Sequence, residues 1–227
     1  RSLKMKDKIE CKLLKPFGST IAKSTMPKEL IDDFLKDLYD IRQNPEKAKQ
    51  YAYGHRLAGQ VYKELLISPD IMLKWKQKYF DHIIRHYVEA HYKNNKMAKC
   101  VIQSAWTNTQ KPNDYNPLHT HTHFSNKALN PDLSCVGYLK IPKIVPYNHS
   151  KEHHQVGGWI EFCEGSENIF NNANYLVQPI LGDYYLFPAN MKHIVYPFSS
   201  DDDNAERISF SFNTTVIFDE MTQYEQK

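Results

Sequence analysis

Asn116-Pro117-Leu118-His119-Thr120-His121-Thr122-His123 is a stretch with three histidines at alternate positions. Alternate side chains of an extended strand point to the same face, so this spacing predicts three imidazoles side by side. Histidine is the commonest metal ligand, and its neutral imidazole suits iron, zinc, copper and nickel. The stretch therefore predicts a metal site without naming the ion. The alternative is a polar, solvent-facing edge strand that discourages aggregation.

One strand leaves the coordination sphere incomplete, so a further ligand is expected from a distant part of the chain. His193 is the best candidate, provided that the intervening strands wind into a barrel. Arg207 follows it at the head of Arg207-Ile208-Ser209-Phe210-Ser211-Phe212-Asn213. The order is an HxH segment, a Gly-Gly strand, a Gly-Asp strand ending in Pro, a histidine and a strand-borne arginine. This ordered set is more specific than any of its parts.

Length and charge favour one ordinary globular domain. The 227 residues suffice for a full hydrophobic core, so we predict a single domain over 1–227. The 29 basic residues nearly balance the 26 acidic ones, and a formal net charge of +3 does not imply a nucleic-acid partner. No apolar run approaches the roughly 18 residues of a membrane span, so no membrane partner is expected.

The cysteines and the first residues indicate the compartment. Cys11, Cys100, Cys135 and Cys163 are far apart and form no CxxC pair, which favours buried free thiols in a reducing compartment. The beginning of the chain lacks the apolar core of a signal peptide. We therefore expect a cytoplasmic protein.

Residues 1–97 are predicted to hold a first strand, at 9–15, and supporting helices. Apolar residues recur at helical spacing from Leu30 to Leu38, which predicts an amphipathic helix. A longer helix is expected to begin after Ser68-Pro69 and to end by Asn94-Asn95. We expect these helices to buttress the strands that follow, and a homodimer formed through them stays open.

The longer helix carries a histidine pair that is a weak metal motif. His82 and His86 have the spacing of a zinc-protease helix, but Ile83 stands where that motif needs a glutamate base. We interpret them as a pair on the helix face.

Residues 98–218 are dominated by strand patterns. Short apolar or alternating runs are separated by Gly, Pro, Asn and Asp from the segment around Trp106 to the segment after Arg207. Many short strands joined by turns predict a sandwich or barrel, here with the helices packed outside. The predicted fold class is thus α+β, mainly β.

From Trp106 to Asn213 the sequence resembles the Fe(II)- and 2-oxoglutarate-dependent oxygenases, in a microbial and phage branch related to prolyl hydroxylases. In that branch an HxH segment stands where HxD/E is more usual. The resemblance rests on these pieces: Asn116 to His121, Leu133-Ser134-Cys135-Val136-Gly137-Tyr138-Leu139, Gly157-Gly158-Trp159-Ile160-Glu161-Phe162, Gly182-Asp183-Tyr184-Tyr185-Leu186-Phe187-Pro188, His193, and Arg207 to Asn213. It implies a double-stranded β-helix, which is a jelly-roll or cupin-like barrel, with N-terminal supporting helices.

The resemblance also implies the cofactors Fe(II) and 2-oxoglutarate and a set of site residues. His119, His121 and His193 would be the iron ligands, and Arg207 would pair with the distal carboxylate of 2-oxoglutarate. Ser209 lies two residues along the same strand and should point the same way, and Tyr138 is a further candidate for binding the keto acid. No residue beyond the metal ligands is assigned a catalytic role.

Strand geometry leaves the choice between the pairs 119/121 and 121/123 open. Imidazoles four residues apart in a strand are separated by about 13 Å, so one ion cannot bind both outer histidines. The family pattern places the pair directly after Asn-Pro-Leu, which favours His119 and His121. His123, Trp106 and Asn108 are then candidates for contact with the substrate.

The substrate class and two rival functions stay open. Likeness to prolyl hydroxylases favours hydroxylation of a peptide or protein side chain, such as a prolyl residue, but small molecules remain alternatives. A cupin-type metal-dependent enzyme would use a similar barrel and histidine set, although it gives no role to Arg207. A non-enzymatic β-rich binding protein with inert histidines is the other alternative.

Overall fold

The computed structural model describes residues 10–15, 18–92, 97–122, 130–147, 151, 155–169 and 172–218. Within these ranges the helical elements are α1 (Lys28–Gln43), α2 (Pro45–Gln50), a 3₁₀ turn (Gly54–Arg56), α3 (Pro69–Trp75), a π-helical turn (Lys76–Phe80) and α4 (Asp81–His91). The strands are β1 (Cys11–Leu14), β2 (Ile21–Thr25), β3 (Lys63–Leu66), β4 (Met97–Gln110), β5 (Asn116–His119), β6 (Leu133–Lys140), β7 (Ile160–Cys163), β8 (Asn174–Val177), β9 (Asp183–Pro188), β10 (Lys192–Val195) and β11 (Arg207–Phe218).

The strands form two antiparallel sheets, as expected for a double-stranded β-helix. The larger sheet has the strand order β1-β2-β9-β6-β11-β4-β3, and the smaller one has the order β5-β10-β7-β8. All the pairings between these strands are antiparallel. Strands β2 and β3 were not anticipated: β2 lies in a predicted loop, and β3 lies just before the long helix. Each extends the larger sheet towards one of its edges.

The long helix is continuous from α3 to α4 through the π-helical turn. A π turn contains one residue more than an α turn and so shifts which side chains face inward. The buried neighbours Tyr79 and Phe80 both lie in this turn, and Ile83 and Ile84 follow on α4. The apolar stripe of the sequence predicted the helix, but not this shift. The helix ends at His91, and its expected end at Asn94-Asn95 lies outside the described residues.

Helices and strands share one large apolar core on the outer face of the larger sheet. Phe80 contacts Phe34 of α1, Tyr184 of β9, and Phe210 and Phe212 of β11, with ring centroids 5.0–6.3 Å apart. A second apolar cluster lies between the two sheets and includes Tyr138, Phe162 and Phe187. The helices therefore cover the outer face of the sheet and leave its inner face to the site.

One glycine allows β6 and β11 to approach closely. Gly137 is paired with Phe210, and a Cβ atom at position 137 would lie 2.1 Å from Phe210 Cε1. The Phe210 ring thus occupies the space that any other residue at this position would need.

None of the helices in the described part of the chain combines the length and the apolar composition that a transmembrane helix requires.

Candidate functional site

His119, His121 and His193 come together where β5 meets β10. Their ligand atoms all lie within 4.8 Å of one another. The Nε2 atoms of His121 and His193 are 3.3 Å apart, and the ring centroids of His119 and His193 are 4.2 Å apart. Three imidazole nitrogens at this separation form one face of a coordination sphere and leave the other face open.

Backbone pairing explains this convergence. His119 ends β5 and lies opposite His193 of β10. His121 is no longer in the strand, because the chain bends after His119, and its backbone N–H donates to the Ala189 carbonyl at 2.8 Å. The expectation of three histidines on one regular strand was therefore wrong. The bend carries the His121 ring back over His193, with centroids 5.1 Å apart.

The surroundings keep these imidazoles neutral and orient two of them. Nδ1 of His119 lies 2.7 Å from the Pro117 carbonyl, and Nδ1 of His193 lies 2.9 Å from the Met191 carbonyl. A ring that donates from Nδ1 leaves the lone pair of Nε2 for a metal. Burial lowers the pKa of all three histidines, that of His121 to about 3 with a smaller contribution from His119. Neutral imidazole is the form that binds metal, so the donor set fits a divalent transition metal.

Arg207 lies in the same cavity, and none of the described carboxylates forms an ion pair with it. Its side chain is 1% exposed, and its Nη1 donates to Oε1 of Gln110 on the adjacent strand β4. Its Nε and Nη2, like the Tyr138 hydroxyl, have no hydrogen-bond partner among the described residues. The Tyr138 ring lies 5.1 Å from the guanidinium carbon. A buried cation with two free donors fits a carboxylate ligand.

A row of polar side chains crosses the larger sheet beside Arg207. Glu64 of β3 is paired with Asn108 of β4, which is paired with Ser209 of β11, which in turn is paired with Tyr138 of β6. Directly paired residues of an antiparallel sheet project to the same face. All four are buried, and Glu64, Asn108 and Ser209 line the cavity.

One cavity of about 530 Å³ joins these groups. Its lining includes the three histidines, Arg207 and Ser209, together with Trp106 and Asn108. Most of the residues that the sequence predicted for metal, keto-acid and substrate contact thus line one cavity, and the Tyr138 ring lies 5.1 Å from the guanidinium carbon of Arg207. His123 lies outside the described residues. His82 and His86 are not part of this cavity but line a surface groove between α4 and β2.

Three cavity residues were missed by sequence reasoning. Gln110 accepts from Arg207, and its Nε2 donates to Asn116 Oδ1 at 3.3 Å. Glu64 closes one side of the cavity, and burial raises the pKa of its carboxyl to about 7. Glutamine, asparagine and glutamate are common residue types, and only strand register reveals that these three face inward. Asn116 alone had a sequence signal, because it begins the histidine stretch.

The model of one protein family matches this region of the chain. Residues 104–213 match the model of a family described as "Putative 2OG-Fe(II) oxygenase". The match begins in β4 and ends in β11, so it contains the three histidines and Arg207. No curated protein matches the sequence.

Solved structures share the fold at low sequence identity. A Pseudomonas putida prolyl-4-hydroxylase has 13% identity and a TM-score of 0.55, over 86% of this chain and 91% of its own. A viral collagen prolyl hydroxylase from Paramecium Bursaria Chlorella virus-1 has 13% identity and a TM-score of 0.52, over 86% and 94%. HygX from Streptomyces hygroscopicus, with nickel, 2-oxoglutarate and hygromycin B bound, has 12% identity and a TM-score of 0.53, over 88% and 83%. At these identities the likeness shows the fold.

Proposed function

Residues 104–213 match the model of the 2OG-Fe(II) oxygenase family, and from that match we propose that this chain is a member of the family and acts as a hydroxylase. The reaction converts a substrate C–H bond, dioxygen and 2-oxoglutarate into a C–OH group, succinate and carbon dioxide. One oxygen atom enters the new hydroxyl group, and the other enters succinate. The cofactors of the family, Fe(II) and 2-oxoglutarate, correspond to the two halves of the cavity.

The observation that carries this proposal is the buried guanidinium of Arg207, which has no carboxylate partner among the described residues, beside a set of three neutral imidazoles. Leaving a cation desolvated without a partner costs free energy unless a ligand supplies the counter-charge. A keto acid that chelates a metal at one end and presents a carboxylate at the other satisfies both groups at once. The cupin-type alternative gives the guanidinium no role, and an inert binding protein gives neither group a role.

Each site residue has a distinct part in the proposal. His119, His121 and His193 would hold Fe(II) through their Nε2 atoms, and the chemistry supplied by the metal would be the activation of dioxygen towards a C–H bond. Arg207 binds the distal carboxylate with the two donors that are free, while Gln110 holds its third donor and so fixes the plane of the guanidinium. Ser209 and Tyr138 supply hydroxyl groups on the same side.

The substrate is proposed to be a peptide or protein side chain, with a prolyl residue as one candidate. Support comes from the fold shared with two prolyl hydroxylases. HygX shares the fold as well and binds hygromycin B, so a small molecule is the second candidate. Trp106 and Asn108 line the cavity and are proposed to contact the substrate, and His123 is a third proposed contact.

Anaerobic calorimetry tests the proposed function directly. Protein loaded with Fe(II) is titrated with 2-oxoglutarate, and succinate is then measured after dioxygen is admitted. We expect binding of one keto acid per chain and slow, iron-dependent formation of succinate even before the substrate is known. Metal-loaded protein that binds no 2-oxoglutarate would favour the cupin-type alternative.

A further inference from the structure

Glu64 is a buried carboxyl group in the wall of the cavity that the iron and keto-acid chemistry does not use. The residue is 6% exposed, and its Oε1 has no hydrogen-bond partner within the described ranges. None of the ion pairs between described residues includes it. A buried carboxyl group without a partner lowers the stability of the fold, so its presence in a cavity wall indicates a ligand that satisfies it.

Strand register separates Glu64 from the keto-acid side of the cavity. It projects from β3, whereas Ser209 and Arg207 project from β11, with β4 between them. Neighbouring strands are about 4.8 Å apart, so two strand spacings place Glu64 roughly 10 Å from the Ser209 position. A keto acid bound at Arg207 and the metal therefore leaves Glu64 to a second molecule.

The backbone around Glu64 is shaped to its carboxylate. A Cβ atom at Gly54 would lie 2.9 Å from Glu64 Oε2, and one at Gly59 would lie 2.7 Å from Oε1. The Asn116 Nδ2 atom lies 2.9 Å from that same Gly59 position and thus stands beside the carboxylate. The turn from 54 to 59 can cover Glu64 because both positions lack a side chain.

Two aromatic rings line the cavity next to this carboxyl group. The ring centroids of Tyr53 and Trp106 are 5.7 Å apart, and both residues belong to the cavity lining, as Glu64 does. Aromatic faces suit the methylene stem of a long side chain. Arg56 shows such a contact already, because its guanidinium carbon lies 6.0 Å from the Tyr53 ring centroid. Glu64 is the only acidic residue among the described lining residues.

We propose that Glu64 recognises the substrate by binding a protonated amine or guanidinium group, as carried by a lysine-type or arginine-type side chain. The reaction that takes place at this site rests on the proposed function. The binding of a cation at Glu64 does not depend on that function. The carboxylate pairs with the cation while Tyr53 and Trp106 hold the apolar stem. The reacting carbon of the substrate then lies between this subsite and the three histidines.

Calorimetry with matched probes tests the proposal. The probes are N-acetyl-lysine amide and N-acetyl-norleucine amide, which differ in the ammonium group, and the protein is loaded with Ni(II) and 2-oxoglutarate so that no turnover occurs. We expect wild-type protein to bind the lysine probe at least tenfold more tightly, a difference typical of a charge-assisted hydrogen bond. Glu64→Gln should abolish this preference. Glu89→Gln, on the exposed face of α4, should retain it.

The outcomes separate this proposal from the proposed function. Equal binding of the two probes by wild-type protein overturns the cation subsite, and this result does not depend on any variant. A lysine preference that survives Glu64→Gln overturns the assignment to Glu64. Failure of 2-oxoglutarate to bind wild-type protein contradicts the oxygenase chemistry, and the probes can then be titrated into protein loaded with Ni(II) alone.

Discussion

At the scale of single residues, Arg207 is the group whose loss separates keto-acid binding from metal binding. Arg207→Met removes the guanidinium but leaves the three histidines in place. We expect 2-oxoglutarate affinity to fall by an amount on the order of 2–5 kcal/mol, because the distal carboxylate would be buried without a partner. Calorimetry measures the loss of affinity, and metal analysis should show undiminished iron.

Arg207→Lys is the control for this prediction. It keeps the charge but not the paired donors, so it should restore only part of the affinity. Unchanged keto-acid binding in Arg207→Met would remove this residue from the site.

The histidine stretch gives a prediction about register. His119→Ala and His121→Ala should each abolish tight iron binding, since each removes one of three ligands whose donor atoms lie within 4.8 Å. His123→Ala should retain iron, and it serves as the matched control within the same stretch. Iron content after anaerobic reconstitution is the measurement. Retention of iron by His119→Ala together with its loss from His123→Ala would show that the pair is 121/123.

The raised pKa of Glu64 makes stability depend on pH. Burial raises this pKa from its ordinary value of 4.5 to about 7. Between pH 4.5 and about 7 the carboxyl group is therefore protonated in the folded state and ionised in the unfolded state. The stabilising contribution of the neutral carboxyl is complete below the ordinary pKa and is lost as pH rises through about 7. Glu64→Gln stays neutral throughout.

Relative to wild-type protein, Glu64→Gln should therefore gain stability as pH rises, by about 3 kcal/mol between roughly pH 4.5 and 8. The three histidines have lowered pKa values and the opposite sign, but they are present in both proteins and cancel in the difference. Denaturant unfolding at several pH values measures this difference in the free energy of unfolding between the two proteins. Glu89→Gln should show no such trend, and a flat difference for Glu64→Gln would contradict the raised pKa.

The sequence predicted the residues of the site whose chemistry is distinctive. Histidines at alternate positions and an arginine within an apolar strand differ sharply from the residues around them, so His119, His121, His193 and Arg207 could be selected without coordinates. Glu64 could not be selected in this way. Its inward direction depends on the pairing of β3 with β4, and β3 has only four residues, too few for its alternation to stand out.

At the scale of elements, the contact between β6 and β11 depends on the missing side chain of Gly137. Gly137→Ala should destabilise the protein by about 1–3 kcal/mol, because the added methyl group overlaps the Phe210 ring in a closely packed core. The midpoint of thermal unfolding measures this loss. Gly18→Ala is the matched control, since a Cβ atom there meets no atom within 4 Å. Equal stability of the two variants would show that Phe210 can move aside.

The strands that the sequence did not predict, β2 and β3, are short, and there is a physical reason for this. Helix α1 repeats its apolar spacing over 16 residues, and β4 extends over 14, so each pattern is sampled many times. Strand β2 has five residues and follows the sequence Pro-Phe-Gly at 16–18, whose residue types favour a loop. Its strand conformation comes from pairing with β9, which is a tertiary contact that the local sequence does not encode.

At the scale of the whole molecule, we propose that residues 1–97 and 98–218 form one domain, because their apolar side chains share a core. Phe80 lies at its centre, in contact with aromatic rings from α1, β9 and β11. Phe80→Ala should cost about 3–5 kcal/mol. Unfolding monitored at the helices by far-ultraviolet circular dichroism and at the site by loss of bound metal should remain a single transition. Two separate transitions would contradict the single domain.

The hydrogen bonds from Arg207 through Gln110 to Asn116 have a consequence for how the two halves of the cavity communicate. Because Arg207 donates to Oε1 of Gln110, the amide must present its N–H to Asn116. A Cβ atom at Gly59 would lie 2.9 Å from Asn116 Nδ2 and 2.7 Å from Glu64 Oε1, so this chain of contacts ends close to Glu64. We therefore expect the two ligands to influence each other's affinity, with the same factor measured from either side, as thermodynamic linkage requires. Whatever factor a cation at Glu64 applies to the affinity for the keto acid, the keto acid must apply the same factor to the affinity for the cation.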